Sequence, residues 1–442
     1  MFHSHSRVGA GFRVERLAYQ RILSSIYFVY ILGISSLIIR FKKNPPRFLG
    51  PLVYDIDNPR DYDVMEIPNT EFIENFTANY HPGFDNRIYV SHTTSDIGHK
   101  FSFDGVVVQH VRYYHCKGAN IATKGVVVQG KLFYPARHYI DVPEIPPKPH
   151  SFEIYDKVVV GFSYHLEYGH FIQDMLCGIL VIPSEIALNA EIFVKFRSDL
   201  ARKYFEFIGF NGSRVHELTD EWIYANDMYM AVSDFGINSL HVSWGHFHDI
   251  IYEKYDLEKI VPSQHTIYNK PKGLWGHVSN MPQILEWTRA QYPQYKWIEY
   301  DYKTITNLSY VSKVLAATKI FLINSGSCVF NCIYLHKDCG VYILGNILCD
   351  RNVFVAAYTL QLWLINVASP EFRWHMDQPT EFDFDLYKKT LPDIIDAVYK
   401  GAWPNDVLKR SKKLFDAYEV FSNFKDIFVK SNNVQFVRKV IY

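Results

Sequence analysis

Residues 320–335 read IFLINSGSCVFNCIYL. The apolar run Ile320 to Ile323 predicts a buried strand, Asn324-Ser325-Gly326-Ser327 a turn, and the residues beyond it a helix. A strand, a small-residue turn and a helix N-terminus leave backbone N–H groups pointing outward at the positive end of the helix dipole. Such a joint suits an anion, and a phosphate-bearing ligand is the expected occupant. Many joints of this type bind nothing, so support must come from the rest of the chain.

Around this stretch the pattern is strand–helix–strand. Downstream, Asp338 closes the helical region and Val341 to Leu344 predicts a strand. Upstream, Leu308, Val311 and Leu315 share one helical face, and Lys296 to Glu299 predicts another strand. A helix over 281–291 is capped by Ser279 or Asn280 and ends before Pro293. Thr266 to Tyr268 is the expected first strand of the series, and it leads into Asn269-Lys270-Pro271-Lys272-Gly273. The two lysines there are point charges placed to meet a phosphate.

The preceding region has the same rhythm. Strands are predicted at 158–160, 191–196, 214–218 and 227–232, with helices over 168–180 and 200–209. This alternation predicts an open, largely parallel sheet with covering helices. Further back, GVVVQ occurs at 105–109 and again at 125–129, which predicts antiparallel strands and turns. In the helix YGHFIQDMLCGIL, Phe171, Met175 and Ile179 make the apolar face. His170 and Asp174 share a second face, with His165 and Glu167 in the loop before them. A histidine oriented by a carboxylate is an acid–base device near neutral pH, and it is equally a helix-stabilising surface pair.

HVSWGHFH, with His241, His246 and His248, offers zinc ligands only if it is a strand, and it lacks a placed third ligand. Its rings, Trp244 included, otherwise line a sugar pocket or pack. The six cysteines, at 116, 177, 328, 332, 339 and 349, form no CxxC pair and read first as buried thiols, then as disulfides.

Lys plus Arg and Asp plus Glu are both 46, so nothing in the overall charge points to nucleic acid. No glycine-rich dinucleotide signature follows an early strand, and no haem, flavin or nicotinamide is expected. Residues 22–39, ILSSIYFVYILGISSLII, are uncharged and as a helix would span about 27 Å. They predict an uncleaved signal-anchor behind a short tail (1–21), with a buried or interfacial helix as the other reading. The proline-rich segment after it predicts a stem over 40–60. N-x-S/T triplets at Asn75, Asn211 and Asn307 agree with a lumenal glycoprotein.

The order of these pieces over about 155–350 resembles the glycosyltransferase 61 (DUF563-type) group. The resemblance is carried by YGHFIQDML, YFEFIGFNGSRVHEL, YVSKVLAATKIFLINSGSCVFNCIYL and GVYIL. Asn331 stands at the place of the group's late asparagine, and Lys270 and Asn280 stand near its arginine and asparagine. Asn324-Ser325-Gly326-Ser327 replaces the group's histidine-containing glycine turn.

The resemblance implies an α/β fold of two Rossmann-like, GT-B-like domains facing a cleft. The first would span 61–258 and take the acceptor. The second, 259–369, would take the nucleotide sugar, and a helical tail, 370–442, would pack on both. It further implies an inverting, metal-independent transferase in the Golgi or endoplasmic reticulum membrane, of type II topology. The partners would be a nucleotide sugar as co-substrate, a glycan or glycoprotein acceptor, and the membrane. On this reading His170, Asp174 and Glu167 are the catalytic candidates. Lys270, Asn324, Ser325, Gly326, Ser327 and Asn331 are the donor-binding candidates. Because the donor turn diverges, a catalytically inactive fold that binds glycan or protein is the alternative.

Overall fold

The computed structural model describes residues 70–78, 87–92, 108–123, 125–128, 131–133, 153–163, 165–231, 237–301, 307–345, 351–369, 372, 381–405 and 411–413. All of them lie within one structural unit, Asp55–Tyr442. Its described strands are β1 (Thr70–Ala78), β2 (Ile88–His92), β3 (Val108–Ala122), β4 (Gly125–Val128), β5 (Lys131–Phe133), β6 (Glu153–Gly161), β7 (Glu191–Val194), β8 (Val215–Glu217), β9 (Ile223–Ala231), β10 (Gln264–Tyr268), β11 (Trp297–Glu299), β12 (Thr318–Asn324), β13 (Gly340–Gly345), β14 (Trp363–Ala368) and β15 (Ser411–Lys413).

The first sheet runs β5-β4-β3-β9-β6-β7-β8, with β1 on β3. Only β9, β6, β7 and β8 are parallel; β1, β3, β4 and β5 pair antiparallel. The expectation of a largely parallel first sheet is therefore corrected to a mixed one. The second sheet runs β11-β10-β12-β13-β14-β2-β15 and is parallel from β11 to β2. The tail 370–442, expected to be helical, contains β15, which pairs antiparallel with β2.

The described helices that position the site are α1, in three parts (Tyr168–His170, Phe171–Leu176, Cys177–Ile179), α2 (Ser198–Phe207), α3 (Ile237–Tyr255), α4 (Met281–Gln291), α5 (Leu308–Ala316), α6 (Arg351–Thr359) and α7 (Phe384–Lys400). Asn307 caps α5 by accepting from the Tyr310 N–H at 3.2 Å. Asn280 precedes α4 without capping it, because its side chain is spent on the Phe382 backbone at 2.9 Å in both directions.

Alternation along the strands shows where the core sits. In β12, Phe321 and Ile323 face one core while Ile320 and Leu322 face another. In β13, Val341 and Ile343 face the first and Tyr342 and Leu344 the second. Val159 of β6, Phe171 and Met175 of α1, and Trp244 of α3 belong to that same first core. The inner faces of both sheets thus share one continuous apolar body. This corrects the picture of two separate Rossmann-like domains facing a cleft: the molecule is a mixed α/β body whose parallel portions are consistent with a GT-B-like core. Strand periodicity says which residues share a face, but not what that face meets.

The proposed anchor, 22–39, lies outside the described residues, as do the tail and stem. Among the described residues no helix is long and apolar enough to cross a membrane. The longest, α3, carries Asp249, Glu253 and Lys254. A transmembrane anchor, a membrane partner and a lumenal Golgi or endoplasmic reticulum placement therefore find no support in the structure.

Candidate functional site

In the parallel part of each sheet the chain reverses its direction of travel across the sheet once. From β6 it goes to β7 and β8 on one side, then returns to β9 on the other. From β10 it goes to β11 on one side, then to β12, β13 and β14 on the other. Ligands of open α/β sheets bind beyond the carboxyl ends of strands at such switch points. The sequence candidates sit there: His165, Glu167 and His170 follow β6, Lys270 follows β10, and Asn324 to Ser327 follow β12.

The first junction is built around Asp174, which is buried. Its Oδ2 accepts from Ser163 Oγ at 2.6 Å and bonds His170 Nδ1 at 2.9 Å. A carboxylate on Nδ1 favours the tautomer that carries its proton there and its lone pair on Nε2. The helix-stabilising surface-pair reading is thereby set aside, since Asp174 belongs to the interior. Phe171–Leu176 is a π-helical stretch, a form that appears mostly as short bulges, often at functional sites. Gln173 lies 3.2 Å from His170 Nδ1 through its Nε2, and its Oε1 accepts from Asn352 Nδ2 of α6 at 2.6 Å. His165 stacks on His170 with ring centroids 4.4 Å apart. Burial, then the neighbouring His170, lowers the His165 pKa. Its Nδ1 lies 3.7 Å from the exposed Glu167 carboxylate.

The second junction is built around Asn269. Its Oδ1 accepts from the Val278 N–H at 3.0 Å and from Asn324 Nδ2 at 2.9 Å. Asn324 also donates to Gly276 O at 2.7 Å, and its Oδ1 has no partner among the described residues. This clasp ties the 269–278 loop to the end of β12 and holds Lys270 beneath the turn. Lys270 Nζ donates to Ser325 O at 3.0 Å. Burial lowers its pKa, so an approaching anion would restore what desolvation has cost the ammonium.

Gly326 has φ +110°, and a Cβ there would lie 2.9 Å from Lys270 Nζ. The helix that follows, Ser327–Tyr334, is 3-10 rather than α. The Ser325 N–H is spent on Leu344 O at 3.0 Å, so the anion-directed donors reduce to those of Gly326, Ser327 and Cys328. Asn331 braces the turn: Nδ2 donates to Cys328 O at 2.9 Å and Oδ1 accepts from Tyr168 at 3.2 Å.

The two junctions meet. A Cβ on Gly169 would lie 2.9 Å from Ser327 Oγ and 3.2 Å from Ser327 Cα. His170 and the Ser325–Ser327 turn are thus brought together across the two sheets. The other sequence candidates fall elsewhere. His246 and His248 lie on α3, where residues two apart point in different directions, and His248 stacks on Tyr252. Trp244 is fully buried and packs against Phe247 and Phe330. The five described cysteines are free thiols. Ser163, Gln173, Asn269 and Asn352 are not legible as site residues, because the bonds Ser163–Asp174, Asn269–Asn324 and Gln173–Asn352 span 11, 55 and 179 positions in sequence.

No curated protein matches the chain. Residues 168–342, which run from the start of α1 through both halves of the site into β13, match the family described as Glycosyltransferase 61.

Proposed function

We propose that this protein transfers a sugar from a nucleotide-sugar donor to a hydroxyl of a glycan or glycoprotein acceptor, with inversion and without a metal ion in the displacement. His170 takes the acceptor proton at Nε2. The freed oxygen attacks the anomeric carbon, and the electrons of the breaking C–O bond pass to the departing nucleoside diphosphate. Asp174, braced by Ser163, fixes the imidazole and stabilises the imidazolium. Glu167 at the rim meets the acceptor or takes the proton in place of His170. Lys270 and the N–H groups of Gly326 to Cys328 hold the diphosphate as its charge grows. Asn324 and Asn331 keep the turn in shape.

The observation that carries this reading is the meeting of the two switch points at Gly169 and Ser327. It sets a carboxylate-backed histidine beside a lysine-backed anion turn, within a segment matching a glycosyltransferase family. The test is calorimetric titration of the purified protein with nucleoside diphosphates and nucleotide sugars, followed by product analysis. Binding of one nucleotide class, lost in Lys270→Ala, with transfer lost in His170→Ala, is expected. One observation favours the binding-only alternative: Lys270 and the Ser325 N–H are already engaged within the protein. A well-folded protein that binds glycan but no nucleotide would replace the transferase reading with that one.

A further inference from the structure

His165, Glu167 and His170 each present a ligand atom, and the three atoms lie within 4.8 Å of one another. Two imidazoles and one carboxylate form a donor set that suits zinc, with the fourth position left to water or substrate. Ligands on a tetrahedral ion at 2.0–2.1 Å stand about 3.3 Å apart. His165 Nδ1 and Glu167 Oε2 stand 3.7 Å apart, so a small movement of the exposed Glu167 closes that edge. The His170 ring is oriented as a metal-bound imidazole is: its Nδ1 bonds the Asp174 carboxylate at 2.9 Å, so an ion would be taken through Nε2. Asp174 is in turn held by Ser163 at 2.6 Å.

We propose that His165, Glu167 and His170 form a zinc-binding site that silences the transferase. The inhibitory part rests on the functional reading above, in which the Nε2 lone pair of His170 takes the acceptor proton. An ion on that nitrogen removes the base. It also sets a positive charge beside the acceptor and fixes Glu167. The site differs from a catalytic metal site in its consequence: the free protein is the competent form.

Direct binding and inhibition are measured separately. Zinc chloride is titrated into the full chain by calorimetry, and cobalt chloride is followed by the visible bands of a four-coordinate ion. One saturable site per chain is expected. Asp174→Asn should weaken zinc by about 10–100-fold. His165→Gln and Glu167→Gln, each of which removes a ligand, should weaken it further. Glu167 is exposed, so its variant keeps the test open if His165→Gln does not fold. No saturable site, or affinity unchanged in both variants, would overturn the proposal. If the protein transfers sugar, zinc should inhibit it and a chelator should restore it, with inhibition tracking direct affinity across the variants. Tight zinc with undiminished transfer would overturn the silencing role. If no transfer is found, the cobalt bands still decide the site.

Discussion

The two strand-to-helix junctions are built alike and do opposite things. After β6 the chain enters a helix with a π stretch, and after β12 it enters a 3-10 helix. One is slightly underwound and the other overwound relative to an α-helix. The first gathers titratable groups around a buried carboxylate, Asp174, and in the proposed function handles protons. The second gathers a cation and backbone donors around a half-buried amide, Asn269, and in the proposed function handles negative charge. Each leaves the other's chemistry out: the described part of the first junction places no cation within bonding distance of Asp174, and that of the second places no carboxylate on Lys270. In the proposed transfer, this division would let one site hold an anionic leaving group without neutralising its own base.

The sharpest way to break the comparison is to remove the working group from each side. His170→Ala should lower kcat for transfer by about 10²–10⁴-fold while leaving donor affinity nearly unchanged. Lys270→Ala should instead weaken donor binding, with a fall in kcat beside it because the lysine also meets the growing charge of the leaving group. Losing a charge-assisted hydrogen bond of about 1.5–3 kcal/mol should weaken donor binding by about 10–150-fold. If both variants shift the same parameter equally, the junctions do not divide the work. Asp174→Asn, which keeps the shape but not the charge, should fall between native protein and His170→Ala in kcat.

The contact between the junctions is the next target. Gly326→Ala forces an L-residue into φ +110° against Lys270, a strain on the order of 1–3 kcal/mol. Gly169→Ala presses a methyl group onto the Ser327 main chain. Gly326→Ala should cost nucleotide affinity, and Gly169→Ala should cost transfer and stability together. Calorimetry and thermal melts separate the two outcomes.

The comparison also shows what a sequence can say. The β12 turn was readable because an apolar run ends in four small polar residues, and the His170–Asp174 pair because four-residue spacing shares a helix face. The shape of the helix after the turn was not readable. Ser327 is met by Gly169, more than 150 positions earlier in the chain, and only that approach shows what the turn must accommodate. The shared core was missed for the same reason: Phe321 and Val159 have the same local pattern whether their sheets face solvent, helices or each other.

Asn352 tests how the first junction leans on the second sheet. It donates to Gln173, beside His170, from a helix that follows β13. Asn352→Ala leaves a buried Gln173 oxygen without its donor, a loss of about 1–3 kcal/mol in stability. If the bond also positions His170, kcat should fall while donor affinity stays fixed. An unchanged kcat would confine Asn352 to packing.

The smallest effect separates the sheets by acid. Two histidines of the first sheet are paired with carboxylates: His115 with Asp227 at 2.8 Å and His216 with Glu191 at 2.6 Å. His265 on β10 is instead buried against Tyr295, Trp297 and Tyr399, and it bonds the Tyr399 hydroxyl at 3.0 Å. Burial, and secondarily Lys319, lowers its pKa to about 4. The unfolded chain therefore binds this proton first as pH falls, so the stability His265 contributes is intact above about pH 6.5 and is lost toward pH 4. At pH 5 the loss should be on the order of 1–2 kcal/mol. Thermal melts from pH 7 to 5 should show a fall in Tm that is shallower in His265→Phe, with hydrogen exchange rising in β10 and β11 before β6 and β7. Equal slopes in the two proteins would mean that His265 does not set the acid response.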